Sequence, residues 1–150
     1  MWCYVARIGY HLQQAIQEEL RARSINRNCA TVITQVLVDK KDQAFNNPEK
    51  PIGAFYTEEE AKKIEKSKGY TFVEDSGRGY RRVVPSPKPK EIIELGLIKD
   101  LLNQGNIVIV SGGGGIPVVK EGKELKGVAA VIDKDRTASL LGKLIGADKL

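Results

Sequence analysis

Four consecutive glycines placed directly behind a short apolar run constrain this chain more than any other feature. Ile107-Val108-Ile109-Val110 reads as a buried strand, and Ser111-Gly112-Gly113-Gly114-Gly115-Ile116-Pro117 follows with no spacer. Open α/β sheets bind their ligands where a strand gives way to a loop. Glycines at such a place let backbone N–H groups approach an anion and form a concave nest for it. A flexible turn is the plain alternative. Four glycines cost conformational entropy in a folded chain, which favours the functional reading. The loop is neither a Walker-type phosphate loop, since no Gly-Lys-Ser/Thr follows, nor a Gly-x-Gly-x-x-Gly opening a helix.

Helical and strand patterns alternate around that loop. Ile8, Leu12, Ala15, Ile16 and Leu20 recur at helical spacing against Gln13, Gln14, Gln17 and Glu18, which predicts a helix over 6–22. Residues 30–38 are rich in β-branched side chains and read as one buried strand. Between Asp39 and Tyr56 the residues Asn46, Asn47, Pro48, Pro51 and Gly53 break the periodicity, and a loop is expected. Thr57 with Glu60 makes a capping box for a helix over 58–68, and Gly69 stops it. Residues 70–74 and 80–84 alternate as a hairpin joined across Gly77 and Gly79. Pro85, Pro87 and Pro89 disfavour helix and ladder alike. A helix is expected over 91–103, a hairpin over 118–125 turning at Glu121-Gly122, an apolar strand over 128–132, and a last helix over 137–145. This order predicts an α/β fold, with residues 40–86 as a small excursion from the main sheet.

Bulk properties narrow the function. In 150 residues, 41% hydrophobic and 29% charged content fit one ordinary globular domain. No stretch approaches the roughly 18 to 20 apolar residues of a membrane span, and the start lacks a secretory pattern, so a cytoplasmic location without membrane contact is expected. Cys3 and Cys29 supply neither a disulfide framework nor zinc-ligand spacing, and no metal site is indicated. The net charge of +5 comes from 24 basic and 19 acidic residues. So mild an excess makes a poor case for nucleic acid and suits small polyanions such as ATP.

Several residues have the chemistry for such a ligand. In Val131-Ile132-Asp133-Lys134-Asp135 a lysine stands between two carboxylates at the expected end of a strand and start of a helix. Lys134 there can reach a phosphate as a point charge, and an aspartate can orient it or help hold Mg²⁺; a helix-capping Asp beside a solvated Lys is the simpler alternative. Lys50 lies between Pro48 and Pro51, so a stiff backbone presents it. Arg78, Arg81 and Arg82 form a basic group that either binds phosphate or pairs with carboxylates of the hairpin. His11, the only histidine, lies among glutamines and reads as a surface residue, so a Ser-His-Asp or Cys-His machine is hard to build.

Longer strings then add a resemblance. Thr34-Gln35 leading to Val38-Asp39-Lys40, the run Ala44-Phe45-Asn46-Asn47-Pro48-Glu49-Lys50-Pro51-Ile52-Gly53, and the run from Glu74 through Ser76-Gly77-Arg78-Gly79-Tyr80-Arg81-Arg82-Val83-Val84-Pro85-Ser86-Pro87 resemble carbamate kinases. Residues 111–117 and 131–135 complete the match, which extends from about Ile8 onward. The resemblance implies a three-layer α/β/α open sheet of the amino-acid-kinase type spanning 1–150, with residues 40–86 as a protruding α+β subdomain. It implies reversible phosphoryl transfer between ATP and carbamate in arginine catabolism, with ATP or ADP and Mg, carbamate and carbamoyl phosphate as small-molecule partners, and a homodimer. Lys50 then corresponds to the subdomain lysine that reaches the reacting groups, and Lys134 to a core lysine that neutralises the transferred phosphoryl. Asp135 would organise these lysines, and Ser111, Gly112, Gly113, Gly114 and Gly115 would line the carbamate and phosphate site.

The same resemblance marks departures. Members begin with a strand and a Gly-Gly-Asn loop and carry a second glycine-rich loop before the first helix. Beyond the position of Leu150 they continue into a nucleotide-binding segment with a further lysine. Residues 1–7 match the family poorly. The resemblance therefore implies the middle segment of the catalytic unit, with little turnover on its own. The non-enzymatic alternative is a binding or dimerisation module derived from the same fold.

Overall fold

The computed structural model describes residues 2–150, with side chains from residue 6 onward; Met1 and the side chains of Trp2, Cys3, Tyr4 and Val5 lie outside the described residues. The elements run α1 (Trp2–Ala22), β1 (Cys29–Thr31), β2 (Gln35–Val38), β3 (Lys50–Tyr56), α2 (Glu58–Lys68), β4 (Thr71–Glu74), β5 (Tyr80–Val84), β6 (Pro89–Ile92), α3 (Leu95–Asn103), β7 (Ile107–Ile109), β8 (Ile116–Glu121), β9 (Glu124–Gly127) and α4 (Lys134–Ile145). The fold is α/β, and among the described residues no helix is long and apolar enough to cross a membrane.

The strand expected over 30–38 is two strands in two sheets. β1 pairs in parallel with β7, and β2 pairs in parallel with β8, so both chains of this ribbon break at the same level. Residues 32–34 interrupt one side, and residues 110–115 interrupt the other. Val32 N–H still reaches the Ile109 carbonyl and Ile116 N–H the Thr34 carbonyl, which keeps the two halves in register across the gap. β2 also pairs antiparallel with β6, and β8 with β9, giving the order β6-β2-β8-β9. Pro89 opens β6, although alternating prolines were expected to disfavour ladder pairing. β6 is an edge strand, where a missing N–H is tolerated. The helix expected over 91–103 is correspondingly shortened to α3.

The core gathers under this mixed sheet. Val36, Ile92, Ile98 and Ile132 are at most 1% exposed and belong to one apolar cluster with Val32, Val38 and Val119. Each such side chain contributes about 1.5–3 kcal/mol by leaving water. Residues 128–132 were expected to form a strand. They make no ladder: Ala130 and Ile132 are buried, but the segment's backbone turns inward on Val128 and hydrogen-bonds Pro85 instead.

Helix α1 covers the free edge of β1 through residues assigned from sequence to its polar face. Gln13 Oε1 accepts from Thr31 N–H at 2.8 Å, and Gln17 Nε2 donates to the Cys29 carbonyl at 3.1 Å. The two amides satisfy strand groups that a neighbouring strand would otherwise take, while Leu12, expected on the buried face, is 46% exposed.

The expected loop over 39–56 ends in an ordered strand. β3 pairs with β5, and β5 with β4, in an antiparallel sheet ordered β3-β5-β4. Helix α2 packs on β4 and β5. Its capping box is formed as the sequence predicts, with Thr57 accepting from Glu60 N–H, the Glu60 carboxylate accepting from Thr57 N–H, and Gly69 closing the helix at φ 64°. Such an N-cap is worth about 1 kcal/mol.

Candidate functional site

The tetraglycine loop fills the interruption in the parallel ribbon, and two fully buried threonines fix it there. Thr34 and Thr137 are each 0% exposed. Thr34 stands at the break on the opposite side; its hydroxyl donates to the Val32 carbonyl and accepts from Ser111 N–H at 2.9 Å. Thr137, in the first turn of α4, donates to the Gly114 carbonyl at 2.9 Å. A hydroxyl that both donates and accepts inside the core holds the loop's backbone where water cannot compete. Ser111 consequently adopts φ 63°, a left-handed conformation uncommon outside glycine.

Gly114 brings the loop against the start of α4. A Cβ on Gly114 would lie 2.2 Å from the Ile132 carbonyl oxygen and 3.6 Å from Lys134 N, so only glycine permits this approach. The loop spends most of its N–H groups internally. Ser111 N–H goes to Thr34 Oγ1, Gly112 N–H to the Val110 carbonyl, Gly114 and Gly115 N–H to the Ser111 carbonyl, and Ile116 N–H to the Thr34 carbonyl. The many-donor nest read from the glycines is thus largely closed on itself, because the turn that shapes the loop consumes its own amides.

Lys50 reaches the same place from the β3-β5-β4 sheet. It is the first residue of β3, paired with Val84, rather than a loop residue. Its ammonium donates to Asp133 Oδ2 at 2.9 Å. Asp133 caps α4 at the same time, its other oxygen accepting from Asp135 N–H at 3.0 Å. The Lys50 hydrogen bond, reinforced by that amide, holds the Asp133 carboxyl at about 2. Sequence reading left the carboxylates beside Lys134 as either orienting groups or a helix cap, and Asp133 is the cap. Its second role had no sequence signal, because the partner is 83 positions away.

Lys134 follows directly and points outward. Its ammonium lies 3.2 Å from Asp135 Oδ1, and both side chains are largely exposed. Asp135 therefore contacts Lys134, whereas the carboxylate on Lys50 is that of Asp133. The structure brings Lys50, Asp133 and Gly114 to the N-terminus of α4, with Lys134 and Asp135 in its first turn. A glycine loop, a helix N-terminus and the Lys50 ammonium together have the chemistry to meet an oxyanion, while the Lys134 ammonium lies out on Asp135.

The arginine group lies apart from this arrangement. Asp75 accepts from Arg81 at 3.2 Å and from Arg78 at 3.5 Å, both guanidiniums lie over the Phe55 ring, and Arg82 stacks 3.4 Å above the Tyr70 ring. Carboxylate and aromatic partners within the hairpin unit thus occupy these arginines. His11 is exposed on α1.

Comparison with known proteins agrees with these strings and this fold. The model of the amino acid kinase family matches residues 6–150. A carbamate kinase of Clostridium perfringens is 59% identical over 143 residues, covering 95% of this chain and 46% of that protein. Carbamate kinase 3 of Staphylococcus aureus is 57% identical over 145 residues, covering 97% and 47%. Among solved structures, a carbamate kinase from Giardia lamblia bound to AMP-PNP superposes with a TM-score of 0.85 at 50% identity, over 96% of this chain and 46% of that one. A protein from Aeropyrum pernix K1 superposes at 0.90 with 44% identity, over 96% and 46%. The chain spans about half the length of the curated relatives it matches.

Proposed function

The chain belongs to the amino acid kinase family, and from that premise we propose that it supplies the carbamate-side portion of a carbamate kinase. The reaction is ATP plus carbamate to ADP plus carbamoyl phosphate, and its reverse. A carbamate oxygen forms a bond to the γ-phosphorus, the bond from that phosphorus to the β,γ-bridging oxygen breaks, and ADP leaves with the electron pair. No side-chain nucleophile is needed; catalysis rests on positioning and on positive charge around the moving phosphoryl group.

One observation carries this reading: Lys50, delivered by a separate sheet, is anchored on the residue that precedes Lys134, at a helix start that touches the glycine loop. Lys50 then holds the transferring phosphoryl from the 40–86 subdomain. Lys134 neutralises it from the core, with Asp135 steadying Lys134. Asp133 keeps Lys50 aimed until a phosphate replaces that contact. Residues 111–115 receive the carbamate end.

ATP or ADP is the co-substrate, as the AMP-PNP bound to the Giardia protein suggests. Mg²⁺ would travel with the nucleotide. No group of three or more His, Cys, Asp or Glu that could hold a metal occurs among the described residues, so the residues here do not fit a protein-held ion and no step is assigned to it. A cytoplasmic place in arginine catabolism and a homodimeric assembly complete the proposal. Because the matched relatives are about twice as long, turnover is assigned to the whole enzyme and ligand binding to this chain.

Isothermal titration of the chain with carbamoyl phosphate, paired with a coupled assay of ATP formation from ADP, tests the reading. Saturable binding with little turnover is expected. Absence of binding refutes the site, and full turnover by the chain refutes the division of labour. The second reading, a binding or dimerisation module without catalysis, draws on the exposed apolar side chains Tyr10 and Ile33, at 61% and 56%, beside an open groove on α1. Light scattering that finds a stable dimer with no carbamoyl phosphate bound would favour it.

A further inference from the structure

Glu94 stands where a helix-capping residue belongs and serves something else. Its carbonyl opens α3 by accepting from Ile98 N–H, which makes it the N-cap residue, yet its side chain makes no cap hydrogen bond. Serine, threonine, aspartate and asparagine are preferred at that position, because a short side chain can turn back onto the free N–H groups of the helix. The half-buried Glu94 carboxylate instead crosses to β2, 59 positions earlier, and takes two N–H groups of one residue. Gln35 donates its main-chain N–H at 2.7 Å and its Nε2 at 2.9 Å. Hydrogen bonds onto a carboxylate are stronger than neutral ones. A local cap has thus been given up for a firm contact elsewhere.

That contact has a defined mechanical place. Gln35 N–H and the Thr34 carbonyl belong to the same planar peptide unit. Ile116 N–H donates to the carbonyl at 2.8 Å from the β8 side, and Glu94 accepts the N–H from the β6 side, so the plane is pinned at both ends. β6 ends at Ile92, and the carboxylate stands in for a strand carbonyl that the ladder lacks there. The next plane is tied to the same segment, since the Gln35 carbonyl accepts from Ile93 N–H at 3.0 Å. What the pinned plane carries is the Thr34 side chain, 0% exposed, whose hydroxyl accepts from Ser111 N–H. A continuous route of contacts therefore runs from Glu94 through Gln35 and Thr34 to Ser111.

We propose that Glu94 is a positioning residue for the loop over 111–115. Its carboxylate sets the Thr34–Gln35 peptide plane, and that plane sets where the Thr34 hydroxyl holds Ser111 N–H. Glu94 acts through Gln35 and Thr34 rather than on the ligand. This rests on the phosphoryl-transfer reading and extends it to a residue outside the site. Aspartate separates the positioning role from the helix start. At position 94 it is a better cap for α3, while its carboxylate, one methylene shorter, falls short of Gln35.

The experiment is native-state amide exchange of the ¹⁵N-labelled chain, paired with calorimetric titration of carbamoyl phosphate, for the parent, Glu94→Asp, Thr34→Val and the double variant. In Glu94→Asp the Gln35 and Ser111 amides are expected to exchange about tenfold faster or more, the protection of one hydrogen bond. The Val83 amide, in the other sheet, should keep its parental rate, which separates a local release from global unfolding. Affinity for carbamoyl phosphate should fall about threefold or more in the same variant. Thr34→Val already breaks the route, so adding Glu94→Asp to it should weaken binding no further. A parental Ser111 exchange rate or a parental affinity in Glu94→Asp, or losses that add in the double variant, overturns this inference and leaves the phosphoryl-transfer reading standing. Absence of carbamoyl phosphate binding by the parent chain overturns both. Should Glu94→Asp fail to fold, Glu94→Gln, equal in length to the native residue and able to accept only one of the two N–H groups, carries the same comparison with the same deciding outcomes.

Discussion

Lys50 and Asp133 stand 83 positions apart in sequence, yet their side chains meet at 2.9 Å, and the lysine is seated on the carboxylate that also caps α4. The contact joins the β3-β5-β4 sheet to the glycine-loop side of the molecule through a pair that is only partly shielded, with side chains 38% and 30% exposed. Solvent screening keeps such a pair from acting as a strong staple. Its significance is placement: it holds an ammonium at the N-terminus of α4, where the function proposed above puts a ligand's negative charge.

The pairing leaves a pH signature. Asp133 is lowered from 3.8 to about 2, chiefly by the Lys50 hydrogen bond. A depressed folded-state value means the contribution is complete above about pH 4 and is lost as pH falls towards 2. Carboxyl-detected NMR titration of the parent chain should show a midpoint near 2. In Lys50→Met the midpoint should rise towards the ordinary carboxylate value, with the amide of Asp135 still holding part of the shift. An unchanged midpoint in the variant would refute the contact.

Lys134 offers the opposite test. Its side chain is 71% exposed and, among the described residues, pairs only with its exposed neighbour Asp135. Lys134→Met should change stability to urea by no more than about 0.5 kcal/mol. Carbamoyl phosphate affinity should fall clearly in the same variant. Binding equal to that of the parent chain would remove Lys134 from the site.

Thr34→Val removes the hydroxyl that receives Ser111 N–H and keeps the shape of the side chain. A buried amide left unpaired should cost about 1–3 kcal/mol in urea denaturation. Thr34→Ser, which restores the oxygen, should recover most of that loss. If valine and serine behave alike, Thr34 fills space and does not anchor the loop.

Gly114→Ala places a Cβ 2.2 Å from the Ile132 carbonyl oxygen at φ 121°. The backbone must move, and a loss of about 2 kcal/mol or more is expected from strain and displaced packing. Ile132→Ala, a cavity in the core beneath, should lose about 2–5 kcal/mol. Thermal midpoints for both variants check this, and a Gly114→Ala protein as stable as the parent would contradict the tight approach.

Local physics was the part that could be read in advance. The capping box of Thr57 and Glu60, the stop at Gly69 and the hairpin between β4 and β5 depend on residues within a few positions of one another. The glycine loop was equally visible, since strand, serine and glycines are contiguous. What depended on distant partners was not visible. The split of residues 30–38 arises because residues 110–115 leave the ladder at the same level, and Pro89 enters a strand only because β6 falls at an edge. Gln13 and Gln17 looked like solvent-facing residues until the free edge of β1 lay beside them. Asp133 and Thr137 both belong to the start of α4, but their importance comes from Lys50 and Gly114, which no periodicity connects to them.

Thr34 and Thr137, one on each side, lie outside the stretch they shape. The conformation of residues 111–115 is therefore not a property those five letters carry with them. Grafted alone into another sheet, the string would arrive slack. A host engineered to accept it would need a hydroxyl across the ribbon and another in the first turn of the neighbouring helix, so the smallest portable unit is a tripod of segments rather than a loop.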